Sequence, residues 1–334
     1  MRTVVFVQGG GVGLDQEPAV RRILDAAGVR LDFQVYPAGR HALDQGFEAV
    51  PAELLDAVKA CGVALKTKLL PAKGAGLAGN FNVEFRRRLG LFASVRPIHT
   101  LRGLAGRFPD IDLLLVREIT EDLYTASEHE VVPGVVQSFK IVTEAASLRF
   151  FRFAFALART HGRKSVHCIH KANILKLADG LILDCFRRVA AEFPDIAPKE
   201  MIVDNACMQL VTRPGQFEVL AAGNLYGDLL SDLGAGLVGG IAATAAVNHG
   251  DGVTVYDAVY GASYESVPPG TANPLPLVLP AVAMLRDFGE AEAAGRIVTA
   301  VEDVLTEGTT RTADLGGTAG TAAFTSAVVS KLMG

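Results

Sequence analysis

The sequence predicts a two-lobed α/β protein with a mostly parallel sheet and helices on both faces. Three observations carry that prediction. Short β-rich runs alternate with helically spaced apolar residues along the whole chain, which requires crossover connections. At 334 residues the chain has length for about two domains. With 50% hydrophobic and 20% charged residues it has the composition of a folded globular protein. No repeat or Pro/Ser-rich linker divides it, so the lobes are expected to be interwoven.

The elements follow in order. Residues 3–7 form a compact β-rich run that breaks at Gly9-Gly10-Gly11-Val12-Gly13. Residues 17–27 show helical spacing through Val20, Ile23, Leu24 and Ala27. Residues 31–36 alternate as a strand, 52–61 read as a helix ending at Gly62, and 63–70 as another strand. A Gly/Ala-rich segment, 71–79, is expected to be flexible. Runs of strand length recur at 111–116, 165–169 and 200–203, each followed by polar residues and then a helical pattern. The first glycine loop follows a strand and precedes a helix, as a dinucleotide fingerprint does. Its sixth position is Leu14, however, and only Asp32 supplies an acid on the next strand. It reads equally as a tight turn that brings backbone close to a ligand.

Composition excludes several classes of function. Acidic residues number 36 against 32 basic, a net charge of −4, and no long basic run exists beyond Arg86-Arg87-Arg88, so no nucleic-acid partner is expected. The uncharged stretch 233–248 is rich in Gly and Ala and shorter than the roughly 20 apolar residues of a spanning helix, so no membrane partner is expected. The amino-terminal apolar run is too short for a secretory signal. Cys61, Cys168, Cys185 and Cys207 lie far apart without a C-x-x-C pair, which predicts reduced thiols, no zinc site and a cytoplasmic location. His99, His129, His161, His167, His170 and His249 lack metal-ligand spacing and read as structural.

Three strand ends carry charged residues: Arg117, Lys171 and Asp204. Ligands collect at the carboxyl ends of strands in open α/β sheets, although a solvated charge accounts for any one of the three alone. In Asn224-Leu-Tyr-Gly-Asp228-Leu-Leu-Ser-Asp232 the two aspartates share one helix face. Such a pair is either a solvated acidic face or part of a site for Mg²⁺ or Mn²⁺ that Asp204 completes. Arg86, Arg96 and Arg117 supply guanidinium groups of the kind that hold a small di- or tricarboxylate.

Together these strings resemble the isocitrate/isopropylmalate dehydrogenase family, the metal-dependent β-decarboxylating dehydrogenases. The match rests on residues 224–240, Arg117-Glu-Ile-Thr-Glu-Asp-Leu-Tyr124, His170-Lys-Ala-Asn-Ile-Leu-Lys, Asp257-Ala-Val-Tyr-Gly-Ala and Asp314-Leu-Gly-Gly317, in family order. The resemblance implies that family's two-lobed fold rather than a Rossmann fold. One lobe would combine 1–97 and 255–334 on the cofactor side; the other, 98–254, would carry dimerisation, metal and substrate residues. It implies that Arg86, Arg96 and Arg117 bind the substrate carboxylates and that Asp204, Asp228 and Asp232 bind the metal. Lys171 and Tyr124 become the acid–base residues, with Lys171 and Asp204 reaching into a partner's site in a homodimer. Tyr260, Gly261, Glu265, Asn273 and Asn173 become cofactor-binding residues. Glu265 stands where members that use NAD carry an acid, which repels a 2′-phosphate, so NAD is the implied cofactor.

The chain departs from the family at Gly10, Leu70 and Tyr260, and its 71–79 loop is about two residues longer by alignment. At the position that distinguishes substrates the chain has Asn80, with Asn82 following the isocitrate pattern. Two amides favour a polar tail over a branched alkyl one. The expected reaction is NAD-dependent oxidation and β-decarboxylation of isocitrate or a similar 3-substituted malate to a 2-oxo acid and CO₂. A tartrate/malate-type or isopropylmalate-type enzyme is the alternative within the family. A regulatory subunit is the non-enzymatic one.

Overall fold

A computed structural model describes residues 2–72 and 80–334 of the chain. The expectations of flexibility and extra length for 71–79 therefore lie outside the described residues from 73 onward. The chain packs into two compact units: Met1–Gly90, Thr100–Arg107 and Val238–Gly334 form the first, Leu91–His99 and Phe108–Leu237 the second.

In the first unit the strand Arg2–Gln8 lies parallel between Leu31–Pro37 and Val63–Lys66. Val63–Lys66 in turn pairs in parallel with Val253–Asp257, and Ala246–Gly250 closes the row antiparallel to that strand. Val4, Val5, Phe6 and Val7 are buried on both faces, which is why they read as a continuous apolar run and not as an alternation. The helix Ala52–Cys61 has the predicted bounds; it ends because Gly62 adopts φ 75°, the left-handed conformation favoured by glycine. The strand expected over 63–70 stops at Lys66, because the Thr67 N–H still bonds to Val7 while Leu69 turns to the Asn82 side chain. The helix Ala291–Glu307 buries Ala294, Ile297, Val301 and Val304, one face at a spacing of three and four.

In the second unit Asp112–Glu118 pairs antiparallel with Ala93–His99 and parallel with Val219–Ala222. Ser165–His170 and Ala197–Ile202 continue the parallel run. The helices Glu144–Thr160 and Ala178–Ala190 pack through a cluster of Phe150, Phe151, Phe155 and Phe186. A hairpin not anticipated above, Glu128–Val132 with Val135–Ser138, turns at Pro133-Gly134, where Gly134 has φ 83°. Its residues are exposed throughout.

The unit boundaries differ from those expected at 97/98 and 254/255, and strand pairing gives the reason. Ala93–His99 belongs with the second unit because it pairs along its length with Asp112–Glu118. Residues 238–254 belong with the first because Ala246–Gly250 pairs with Val253–Asp257. The Gly/Ala-rich stretch 233–248, which falls within one lobe on the expected boundaries, is divided between the two units.

Candidate active site

In the second unit the strand Asp112–Glu118 delivers Arg117, which is 2% exposed. Its Nε and Nη2 donate to Asn224 Oδ1 at 2.9 and 2.7 Å, and its Nη1 donates to Asp228. The Tyr124 hydroxyl donates to the other oxygen of Asp228, and the Arg117 guanidinium lies 4.8 Å from the centre of the Tyr124 ring. Burial, followed by the hydrogen bond to Asp228, raises the Tyr124 phenol above its ordinary value, so it holds its proton at neutral pH.

Local structure explains how these three groups meet. Gly227 lets the helix Asn224–Leu237 pass against Arg117, since a Cβ there would lie 2.6 Å from Arg117 Cγ. Tyr124 sits on a single helical turn, Leu123–Thr125, which starts at Asp122 with φ 73°, a strained conformation for a non-glycine residue. The Asp122 carboxylate holds that strain by accepting from the Leu123 and Leu225 N–H groups at 2.8 and 3.0 Å. One carboxylate thereby ties the Tyr124 turn to the helix that carries Asp228 and Asp232. Asp232 lies one turn further along that helix and is exposed.

Lys171 and Asp204 form a second cluster. Lys171 leaves the strand Ser165–His170, Asp204 stands in the first turn of the helix Val203–Thr212, and the two side chains are paired. The Lys171 ammonium holds the Asp204 carboxyl below the ordinary carboxylate range. The Lys171 backbone N–H donates to fully buried Asp179 at 2.6 Å, and Lys140 pairs with the other oxygen of Asp179. Lys140 also lies 3.9 Å from Asp122 and 4.5 Å from the Tyr226 ring centre. It is thus a cation between the carboxylates that brace Tyr124 and Lys171. The sequence reading passed over Asp122, Lys140 and Asp179; the signal available was Asp122 within the Arg117–Tyr124 string. His167 and His170 are buried, and burial lowers both imidazoles, His167 to about 4, so both are neutral. Asn173 is exposed beyond the strand exit.

Among the described residues no group of three His, Cys, Asp or Glu side chains is placed to hold a metal ion. Asp204, Asp228 and Asp232 are therefore not brought together as a triad within one chain. Asp228 and Asp232 carry oxygen donors of the kind that suits a hard divalent cation such as Mg²⁺ or Mn²⁺. Arg96, also of this unit, is 6% exposed and donates from Nε to Ser94 Oγ at 3.3 Å.

The first unit holds the rest of the predicted residues. Lys66 and Asp257 face each other across adjacent strands and form a buried pair at 2.6 Å. Arg86, from the helix Phe81–Arg88, lies 3.7 Å from Asp257, and its buried Nε has no partner among the described residues. Burial alone would raise the Asp257 carboxyl, but Lys66 and Arg86 outweigh it and hold the group below the ordinary range.

The two amides expected to touch the substrate both have duties in the fold. Asn80 caps the helix Phe81–Arg88 by accepting from the Asn82 and Val83 N–H groups at 3.1 and 3.4 Å. Asn82 accepts from Lys66 Nζ and Leu69 N and donates to the Leu69 carbonyl. The carboxamide oxygens of both are therefore engaged within the unit.

An open cavity of about 360 Å³ is lined by Gly9, Gly10, Gly11, Arg40, His41 and Glu265, among others. Here the glycine loop is a close approach of backbone: a Cβ at Gly11 would lie 2.2 Å from the Ala262 carbonyl oxygen, and one at Gly261 2.3 Å from Lys68 Cβ. His41, absent from the sequence reading, shares its ring with Gln8 and Gln45, each at 3.0 Å. Asn273 is buried and braces the helix Leu275–Asp287, donating to Asp314 and accepting from the Leu275 N–H. Tyr260 is half-buried beside Gly261. Backbone lining the cavity and an acid at its wall suit the ribose and phosphate groups of a dinucleotide.

The family model of isocitrate/isopropylmalate dehydrogenase matches residues 3–331. The chain is 41% identical over 331 residues to the mitochondrial NAD isocitrate dehydrogenase catalytic subunit 5 of Arabidopsis thaliana, covering 99% of this chain and 88% of the relative. It is 40% identical over 337 residues to regulatory subunit 2 of that plant's enzyme, covering 99% and 90%. The crystal structure of isocitrate dehydrogenase from Methylococcus capsulatus superposes with a TM-score of 0.92 at 37% identity, covering 100% of both chains. These relatives overturn the cytoplasmic location expected from the cysteines, since the two plant proteins are mitochondrial by name. Reduced thiols are common to both compartments' enzymes, so cysteine usage had no power to separate them. Among the described residues no helix is long and apolar enough to cross a membrane. The fold, the motifs and the similarity along the full chain place this protein in the isocitrate/isopropylmalate dehydrogenase family.

Proposed function

We propose that this chain catalyses the NAD-dependent, divalent-metal-dependent oxidation and β-decarboxylation of isocitrate to a 2-oxo acid and CO₂. The observation that carries the reading is the convergence of Arg117, Tyr124 and Asp228: a guanidinium that recognises carboxylates, a phenol that keeps its proton, and a carboxylate contacting both. When bound, the cation would supply Lewis acidity and NAD the hydride acceptor. Arg96 and Arg117 hold substrate carboxylates, and the unpartnered Nε of Arg86 is a buried donor that a further carboxylate satisfies. Lys171 handles the proton of the C2 hydroxyl. After CO₂ leaves, Tyr124 gives its proton to C3, a transfer for which a phenol still protonated at neutral pH is suited. Asp228, Asp232 and the Asp204 of a second copy hold the cation.

The shared site is part of the proposal. Lys171 is paired with Asp204, while Tyr124 is paired with Asp228, so one chain holds the acid–base groups in separate clusters. Next to the aspartates, Met208 is 49% exposed and Leu229 60% exposed, and the hairpin exposes Val131, Val132, Val135 and Val136. Apolar side chains beside the functional carboxylates support a self-associating face, and a second copy of the chain is the occupant proposed here. The presence of Lys171, Tyr124, the three arginines and the three aspartates supports a catalytic rather than a regulatory chain.

The test is turnover by the purified chain. With Mn²⁺, NAD and isocitrate it should form NADH and CO₂ in equal amounts. Isopropylmalate or tartrate should support no more than about one hundredth of that rate, because each lacks isocitrate's third carboxylate and leaves the buried Arg86 Nε unpaired. No NADH formation from any of the three substrates refutes the proposal.

A further inference from the structure

The geometry points to Arg40 as a second determinant of cofactor choice: it is a latent 2′-phosphate partner that Glu265 keeps occupied. This rests on the cofactor reading above and goes beyond the role given there to Glu265 alone. Arg40 opens the short helix Arg40–Asp44, far in sequence from the loop that carries Glu265, yet its Nη2 donates to Glu265 Oε1 at 3.0 Å. Its other acidic neighbour, Asp44, is 3.8 Å away. The Arg40 side chain is 17% exposed and that of Glu265 is 66% exposed, so the guanidinium is held in place while the carboxylate faces outward. Arg40 lines both the cavity formed by Gly9–Gly11 and the adjoining one formed by Pro71, Gly261 and Ser266, and Glu265 lines the same two.

Two consequences follow from charge. With Glu265 present, its carboxylate accepts from Arg40 and Ser263 and repels a 2′-phosphate. With the carboxylate removed, Arg40 remains at the cavity wall with the planar donor set that binds phosphate by paired hydrogen bonds. Discrimination then arises from a pair, and losing the acid removes one of the two negative charges around Arg40, so that the cofactor's 2′ position no longer meets a repelling excess.

Calorimetric binding of ADP-ribose and of 2′-phospho-ADP-ribose, without turnover, tests this in Glu265→Gln, Arg40→Gln and the double variant. Glu265→Gln should tighten the phosphorylated ligand by roughly 10- to 100-fold relative to ADP-ribose. The double variant should lose most of that gain, and Arg40→Lys with Glu265→Gln should recover part of it. A gain of equal size with and without Arg40 overturns the role of Arg40 while leaving the cofactor site intact. Failure of the unaltered chain to bind ADP-ribose overturns the cofactor reading and the inference together.

Discussion

Mixing two inactive variants offers the sharpest test of a site built from two copies of the chain. Tyr124→Phe removes the proton donor beside Asp228, and Lys171→Met removes the base beside Asp204. Each variant alone should fall at least about 100-fold, the usual loss when one acid–base group is removed. In the proposed symmetric dimer each site would take Tyr124 from one copy and Lys171 from the other. A hybrid dimer then has one site with both defects and one with neither. Refolding equal amounts together makes about half of the dimers hybrids, so about one quarter of all sites, and of wild-type activity, should return. The assay is NADH formation from isocitrate, with differently tagged chains co-purified to prove that hybrids formed. Hybrids no more active than their parents refute the reasoning, because Tyr124 and Lys171 would then serve one site from the same chain.

Other perturbations separate positioning from chemistry. Gly227→Ala places a methyl 2.6 Å from Arg117 Cγ; it should lower kcat/KM at least about tenfold while costing only about 1–3 kcal/mol in unfolding experiments, since alanine favours the helix itself. Lys140→Met leaves the fully buried Asp179 without its cation; chemical denaturation should show a loss of about 3–5 kcal/mol, and Lys140→Arg should restore part of it. The Tyr124 phenol has a raised folded-state pKa, so its contribution to stability is present below the ordinary value of 10.0 and is lost as the pH rises through the higher folded value. An ultraviolet difference titration of wild type against Tyr124→Phe should therefore show this tyrosine ionising above pH 10, and ionisation at or below that value contradicts the burial argument.

How much of this was legible in the sequence depended on the range of the interaction. The helix Ala52–Cys61 and its Gly62 stop are local matters of spacing and backbone freedom, and they were readable. Arg117, Tyr124, Asp228 and Asp232 were readable as residue types within distinctive strings. The duties of Asn80 and Asn82 were not, because an amide that caps a helix and one that meets a ligand look alike until their partners are placed. The premature end of the strand at Lys66 has the same origin: Leu69 bonds to Asn82, thirteen residues on, and apolar spacing carries no record of that choice. Lys140 and Asp179 escaped because a buried ion pair 39 residues apart has no periodic signature. The hairpin at Pro133-Gly134 does carry a turn signal flanked by paired valines, but its strands are exposed throughout and so lack the apolar alternation of a half-buried strand.

The contacts of Asp228 impose one further consequence on the proposed site. Its two oxygens are taken by Arg117 and Tyr124, so the carboxylate is already neutralised within the chain. A cation that takes Asp228 competes with Arg117 for the same carboxylate, and its binding takes from the buried guanidinium the counter-charge of Asp228. A substrate carboxylate replaces that counter-charge. Cation and substrate should therefore bind with positive coupling, each tightening the other by the same factor. Calorimetry of Mn²⁺ with and without isocitrate should show a gain of at least about fivefold, the lower end of ordinary coupling energies. Replacing Arg117 with Met should abolish the gain, and should strengthen the binding of Mn²⁺ alone because its competitor is gone. Equal Mn²⁺ affinity in all these cases means that Asp228 does not exchange partners, and the assignment of the cation to this helix fails with it.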